Sequence, residues 1–257
     1  MTEYILPHVV AHEEERLARL ARMLDPQLRL RLQQLGVGPG WKCLELGAGN
    51  GSISEWLAGQ VGPEGEVVVS DIDTKFIDRL ADAGLDVRRI DATRDPLGEG
   101  YDLICGRAFL HHIPQRRDVL ARIRDALRPG GFVLVEEPDF HSVFAEENLA
   151  MRAFWEGFVA WAANQSIDYF VGRRLGLWLT ELGFEAVDLR GETILSEGGS
   201  AISAFWKLTF EELSGPILAS GMVAQADFDE AMRLFDTPGH WNWQCSFLIA
   251  AGQKPAS

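Results

Sequence analysis

The sequence is poor in everything that would take it into or across a membrane. Between Met1 and His12 there is no basic start followed by an apolar run, and nowhere do the roughly 18 apolar residues of a membrane span occur together. Neither export by an obvious signal nor a transmembrane course is expected, and the chain reads as cytoplasmic. Cysteine is scarce. Cys43, Cys105 and Cys245 are the only three, an odd number set inside apolar runs, which is poor material for a disulfide framework and fits buried reduced thiols. Basic residues number 24 against 38 acidic ones, a formal charge of −14, and past Asp139 they are scattered, as at Arg152, Arg190 and Lys207. Such a balance repels phosphates, so neither DNA nor RNA is expected as a partner. There is no internal repeat and no low-complexity tract.

What the chain does have is apolar material, 47% of its 257 residues, enough for one substantial core with an appended lid. A single domain over 1–257 is expected. Leu17, Leu20, Leu24 and Leu28 recur at helical spacing among Glu and Arg between His12 and Leu35, which predicts an amphipathic helix broken near Pro26, part of an N-terminal cap over 1–35. A rhythm then begins. Trp41–Leu46 reads as a strand, Ser52–Gln60 as a helix, Glu66–Asp71 as a strand and Thr74–Ala83 as a helix. Val87–Asp91 and Tyr101–Cys105 read as strands, Arg116–Leu127 as a helix, and Gly131–Glu136 as a buried strand. Strands alternating with helices imply a mostly parallel sheet covered on both faces, an α/β doubly wound fold.

Residues 139–172 break the rhythm. They carry no strand signal, and Phe144, Phe154, Trp155, Phe158, Trp161, Tyr169 and Phe170 fall at roughly helical spacings, so an inserted helical lid is expected. Over 173–257 the pattern resumes with helix Arg174–Leu182, strand Ala186–Ile194, helices Ala204–Leu218 and Phe228–Phe235, and a last strand Gln244–Ala250. Six of the eight tryptophans, Trp155, Trp161, Trp178, Trp206, Trp241 and Trp243, lie beyond residue 150. Aromatic stripes are more often core than ligand box, and about half of these rings are expected to line an apolar pocket. The remaining aromatic surface needs a cover: the N-terminal helix, a bound small molecule, or the second subunit of a homodimer.

The chemistry concentrates at Leu44-Glu45-Leu46-Gly47-Ala48-Gly49-Asn50-Gly51-Ser52, where the first strand turns into a helix. Glycines there admit a ligand close to the backbone, and the helix start offers unpaired N–H groups to an anion. A nicotinamide-binding turn would read Gly-x-Gly-x-x-Gly, but Gly51 comes one residue early and Ser52 stands in the third glycine's place. The dehydrogenase reading loses ground. Asp71 and Asp91, at the ends of two successive strands, would suit a ligand with a ribose diol and an adenine amine.

Together, Glu45-Leu-Gly47-Ala-Gly49-Asn-Gly51, Asp71, Asp91-Ala92, Tyr101-Asp102-Leu-Ile, His111-His112 and Leu127-Arg-Pro-Gly130-Gly131 resemble the ordered motifs of class I S-adenosylmethionine-dependent methyltransferases. The resemblance covers residues 36–138 and implies a seven-stranded, mostly parallel sheet with S-adenosyl-L-methionine as cofactor and a small-molecule acceptor. It implies that Glu45 steadies the glycine loop and that Gly47 and Gly49 contact the methionyl part, with Asn50 and Ser52 in the same binding loop. Asp71 would bind the ribose hydroxyls and Ile72 would pack on the adenine. Asp91 would accept from the adenine amine while Ala92 offers its N–H, and Arg107 would border the methionyl end.

Methyl transfer needs little catalytic apparatus, because a sulfonium is already activated and the protein mainly aligns the partners and excludes water. A base matters where the acceptor loses a proton, and the candidates are His111 and His112, with His141 and His240 behind them. Structural roles compete with catalysis at each. Glu136, Glu137 and Asp139 could suggest a metal site, but neighbouring carboxylates at a strand end diverge and Pro138 intervenes, so no metal is expected. The expected reaction is methylation of an O, N or C atom of a small apolar metabolite. A cofactor-binding enzyme of the same fold that cyclises its substrate remains the alternative, and a binding protein without turnover is a third.

Overall fold

The computed structural model describes residues 10–256, so the start of the expected N-terminal cap, before Val10, lies outside them. Helix α1 (Val10–Gln34) leads into β1 (Lys42–Leu46), α2 (Ser52–Val61), β2 (Glu66–Asp71), a short α3 (Arg79–Asp82), β3 (Asp86–Arg89) and β4 (Tyr101–Arg107). Then come α4 (Arg116–Ala126), β5 (Leu127–Asp139), α5 (Leu149–Asn164), α6 (Leu175–Glu181), β6 (Glu185–Glu197), α7 (Ala201–Ala219), α8 (Gln225–Asp236) and β7 (Trp241–Gln253). The strands form one seven-stranded sheet in the order β3-β2-β1-β4-β5-β7-β6. Only β7 runs antiparallel to its neighbours, β5 and β6. The expected doubly wound sheet is therefore the observed one, and the order in which strands are added reverses between the parallel neighbours β1 and β4, which opens a crevice at the carboxyl ends of those strands.

Alternation along the strands divides the core. Leu44, Leu46, Val68, Ile104, Val133 and Val135 face α4 and α6, while Cys43, Val67, Val69, Leu103, Cys105 and Leu134 face α1 and α2. The three cysteines are buried and free, as expected.

Two local expectations need correction. The first helix does not break at Pro26, which lies inside α1. Proline in a helix interior costs about 3 kcal/mol; here Leu24, Leu28 and Leu32 are buried on one side and Asp25 is anchored by three side chains, which holds the turn in place. The helix expected over Thr74–Ala83 is split into a 3-10 turn, Thr74–Phe76, and the single turn of α3. Asp73 caps the first piece by accepting from the Lys75 N–H at 3.3 Å, and Gly84, at φ 86°, ends the second.

The region 140–171 holds a 3-10 turn (Ser142–Ala145) and the one long helix α5. Its aromatic face is not left bare. Phe154, Trp155, Phe158 and Trp161 are buried with Phe205, Trp206 and Phe210 of α7 and Phe228 and Phe235 of α8, and Leu24 of α1 joins them. Helices of the same chain thus supply the cover. Trp241, by contrast, is 58% exposed. Among the described residues no helix is long and apolar enough to cross a membrane.

Candidate functional site

The loop between β1 and α2 is shaped by glycines with left-handed backbone, Gly47 at φ 67° and Gly51 at φ 77°. Side chains are excluded twice over. A Cβ on Gly47 would lie 2.7 Å from the Phe109 Cβ, and one on Gly51 would lie 2.4 Å from Leu80 Cδ1. The loop is pinned by the Ala48 N–H donating to the Ser70 carbonyl at 3.0 Å and by Asn50 Oδ1 accepting from the Ser52 N–H at 3.3 Å. Beneath it Glu45 is buried in β1 and accepts from the Ser54 hydroxyl. Burial pushes its carboxyl up to about 7, against the pull of Ser54 and Arg107.

Asp71 ends β2 beside this loop, Oδ2 accepting from the Gly49 N–H at 2.9 Å and Oδ1 from the Asp73 N–H at 3.1 Å. Each oxygen keeps accepting capacity for further donors. Burial raises its pKa, with the backbone N–H bonds opposing. Ile72 leaves an apolar side chain 48% exposed next to it. Asp91 is more committed: Oδ1 takes both the Thr93 N–H (3.0 Å) and hydroxyl (2.6 Å), and Oδ2 lies 3.1 Å from Arg94 Nε. Burial would raise its pKa, but the Thr93 bonds and Arg94 outweigh that and hold it low. Ala92, which follows it, is buried.

Arg107, at the end of β4, is not open to the crevice. Its Nη1 donates to Asp25 Oδ1 at 2.6 Å, the same oxygen takes the Ser52 hydroxyl at 3.0 Å, and Asp25 Oδ2 takes Arg29 Nη2 at 2.6 Å. A Cβ on Gly49 would lie 3.3 Å from Leu17 Cδ2, so α1 lies over the glycine loop as well. Sequence reasoning missed Asp25. An acid one residue past Leu24 and three before Leu28, both on the apolar stripe, was the available signal.

His111 and His112 sit in a 3-10 turn, Leu110–His112, after β4. The buried Glu137 carboxylate takes the Phe109, Leu110 and His111 N–H groups at 3.0, 2.7 and 3.2 Å, and His111 Nδ1 lies 2.8 Å from its Oε2. Burial pushes His111 down to about 3 and carries His112 well below the ordinary imidazole range. Both rings are therefore neutral, and neither has the near-neutral pKa expected of a general base. His141 is exposed, and His240 lies in the loop before β7. The three acids considered for a metal are separately placed: Glu137 on those amides, Asp139 in a two-pronged pair with Arg173 (2.5 and 2.6 Å), and Glu136 beside Arg107 in register. A surface groove of about 340 Å³ lined by Pro114, Arg116, Val159, Ile167, Tyr169 and Phe170 shares no residue with the glycine loop, Asp71 or Asp91 and is not the cofactor crevice.

Comparison with known proteins bears on this arrangement. Residues 11–189 match the profile of a family described as "Methyltransferase domain". The ubiquinone/menaquinone biosynthesis C-methyltransferase UbiE of Cupriavidus taiwanensis is 34% identical over 113 residues, 41% of this chain and 46% of that protein. The chain thus spans about half the length of the curated relatives it matches. Among solved structures, phosphoethanolamine N-methyltransferase 2 of Haemonchus contortus, in complex with phosphomonomethylethanolamine and S-adenosylhomocysteine, aligns with TM-score 0.61 at 17% identity, over 97% of this chain and 61% of that one. The [4+2]-cyclase SpnF aligns with TM-score 0.55 at 15% identity, over 91% and 81%. These structures share the fold; with the family profile running from α1 to β6, the chain belongs to the class I methyltransferases, whose cofactor is S-adenosylmethionine.

Proposed function

We propose that this chain transfers a methyl group from S-adenosylmethionine to a small, largely apolar acceptor carrying an aromatic hydroxyl. The observation that carries the reading is the placement of Asp71 against the glycine loop at the sheet's switch point, with accepting capacity left on both oxygens and Ile72 bare beside it. These residues fit the cofactor. Asp71 would accept the ribose hydroxyls, Ile72 would lie under the adenine, Asp91 and Ala92 would meet its edge, and Gly47, Gly49, Asn50 and Ser52 would bound the methionyl part, with Glu45 steadying the loop and Arg107 bordering it from the Asp25 pair. When bound, the cofactor supplies an electrophilic methyl group.

The protein's share is alignment and exclusion of water. His111, locked on Glu137, is a positioning residue that fixes the turn after β4, and His112 continues that turn. The acceptor class rests on the UbiE-type relatives, whose C-methylation in quinone biosynthesis supports a hydroxylated ring as acceptor. Calorimetry with S-adenosylhomocysteine, then mass spectrometry of products from a panel of phenols and hydroquinones, tests the reading. Gain of one CH₂ with release of S-adenosylhomocysteine is expected. A product isomeric with its substrate, with cofactor unchanged, would move the chain to the non-methylating alternative.

A further inference from the structure

Glu136 is the acid the preceding chemistry leaves unused. It sits near the carboxyl end of β5, paired in register with Arg107 of β4 and Ile249 of β7, and is 2% exposed. Its Oε2 is buried without a hydrogen-bond partner. Leu103 and Cys105 of β4 and Leu134 of β5 face α1, so by strand alternation Arg107 and Glu136 stand on that same face, level with the carboxyl end of β4. Overhead, α1 reaches Arg107 through Asp25 and reaches β6 through Gln27, which donates to Glu192 at 2.7 Å. An enclosed carboxylate with a bare oxygen is costly unless something uses it.

We propose that Glu136 is the proton-accepting residue of the reaction, its Oε2 taking the proton that a phenolic hydroxyl of the acceptor loses on methylation. The proposal rests on the methyl-transfer reading above. The phenolic O–H bond breaks and its proton goes to Glu136; the freed pair forms the bond to the methyl carbon, from oxygen or from the ring, while the C–S pair stays on sulfur. If the ring carbon is the site, its hydrogen leaves afterwards as a proton to water, and the resulting phenolate oxygen takes a proton back from Glu136, so the phenol is restored. Charge balances: in O-methylation one carboxylate and one sulfonium are both neutralised, and in C-methylation the sulfonium's charge leaves as the proton given to water.

The charged groups around Glu136 are Arg107 of β4, Glu137 of β5, Asp25 of α1 and Glu192 of β6. Burial pushes Glu136 up to about 8; Arg107 opposes, and the three acids add to the rise. The ionised form able to take a proton therefore grows as pH increases through that value, and turnover should climb with it.

Glu136→Gln tests the assignment, with 1,4-naphthohydroquinone and simple phenols as probes. S-adenosylhomocysteine affinity should stay within about threefold of wild type. Turnover should drop about 100-fold, the scale of a lost general base, and the rise with pH near 8 should vanish. Glu136→Asp should recover part of the rate together with a rising limb. Unchanged turnover and pH profile in Glu136→Gln, or a loss confined to cofactor affinity, would overturn the proposal and leave Glu136 a counter-charge to Arg107. Wild type that methylates no probe would defeat the acceptor reading instead. Infrared spectra of the free protein then still decide on Glu136: a carboxyl band that disappears between about pH 6 and about pH 10 and is missing in Glu136→Gln supports it, and a carboxylate ionised throughout sinks it.

Discussion

Replacing Asp25 with alanine cuts the single carboxylate through which α1 grips the glycine loop and the end of β4. Three donors lose their partner: Arg107 at 2.6 Å, Arg29 at 2.6 Å and the Ser52 hydroxyl at 3.0 Å. They are unequal. The Arg29 side chain is 37% exposed, so its pair is worth on the order of 0.5 kcal/mol after screening. Arg107 is only 8% exposed, and stranding a buried charge costs about 3 kcal/mol, part of it offset here by the neighbouring Glu136. The Ser52 bond adds about 1 kcal/mol. Asp25→Ala is therefore expected to lose about 3 kcal/mol in urea denaturation at unchanged m-value, and Asp25→Asn about 1 kcal/mol, because its amide oxygen still accepts from Arg107 and Ser52. Affinity for S-adenosylhomocysteine should also drop in Asp25→Ala, since Ser52 loses its anchor. Stability of both variants within about 0.5 kcal/mol of wild type would show that Arg107 needs no partner in α1 and would refute the latch.

Asp71→Ala should weaken cofactor binding by about 2 to 4 kcal/mol, the loss of charged hydrogen bonds compounded by release of the Gly49 N–H, whereas Asp91→Asn should be milder because Thr93 already fills Oδ1; calorimetry giving the reverse order would reassign both acids. His111→Ala should destabilise the fold by about 1 to 3 kcal/mol, by depriving the buried Glu137 of a partner, and should leave no limb missing from the pH–rate profile near neutrality. Glu45 binds its proton more tightly in the folded protein, about 7 against an ordinary 4.5, so its contribution to stability is full below 4.5 and lost as pH rises through 7; melting of Glu45→Gln across that window should show a shallower decline than wild type. Amides of α5 should exchange slowly with or without ligands, as befits core packing, and rapid exchange in the free protein would mark α5 as a moving cover after all.

Much of this is legible in the sequence itself, and the reasons differ by element. Strands β1, β2 and β4 announce themselves as short apolar runs because both their faces are buried, and the glycine loop is visible because no other residue tolerates its backbone. Periodicity could not tell that Pro26 would be carried through α1, because the compensation comes from Asp25 and from leucines packed on distant strands. Nor could it tell His111 from a base. A histidine at a strand end reads as reactive until Glu137, 26 residues away, is seen to hold its ring and three backbone amides together. In the sequence Glu136 stands out only as one of three acids in a metal question, since its lack of a hydrogen-bond partner on Oε2 depends on the packing around it.

The same contacts explain why an aromatic core and a polar crevice occur side by side. Phe140, immediately after β5, stacks on Tyr169 at 4.2 Å between centroids and meets Trp155 and Trp206 edge-on at 5.7 and 5.6 Å. Tyr169 in turn stacks on His111 at 5.4 Å. The ring that Glu137 clamps is therefore also the first ring of the aromatic unit, so a neutral, immobile His111 joins the rigid ends of β4 and β5 to the helices beyond them. A protonating imidazole would strain that joint, because the charge would be buried against both Tyr169 and Arg116. Taking up a proton at Glu136, on the opposite face of β5 from Glu137, leaves the joint undisturbed. Proton chemistry on one face and mechanical linkage on the other is the division of labour that two adjacent buried glutamates in a strand make available.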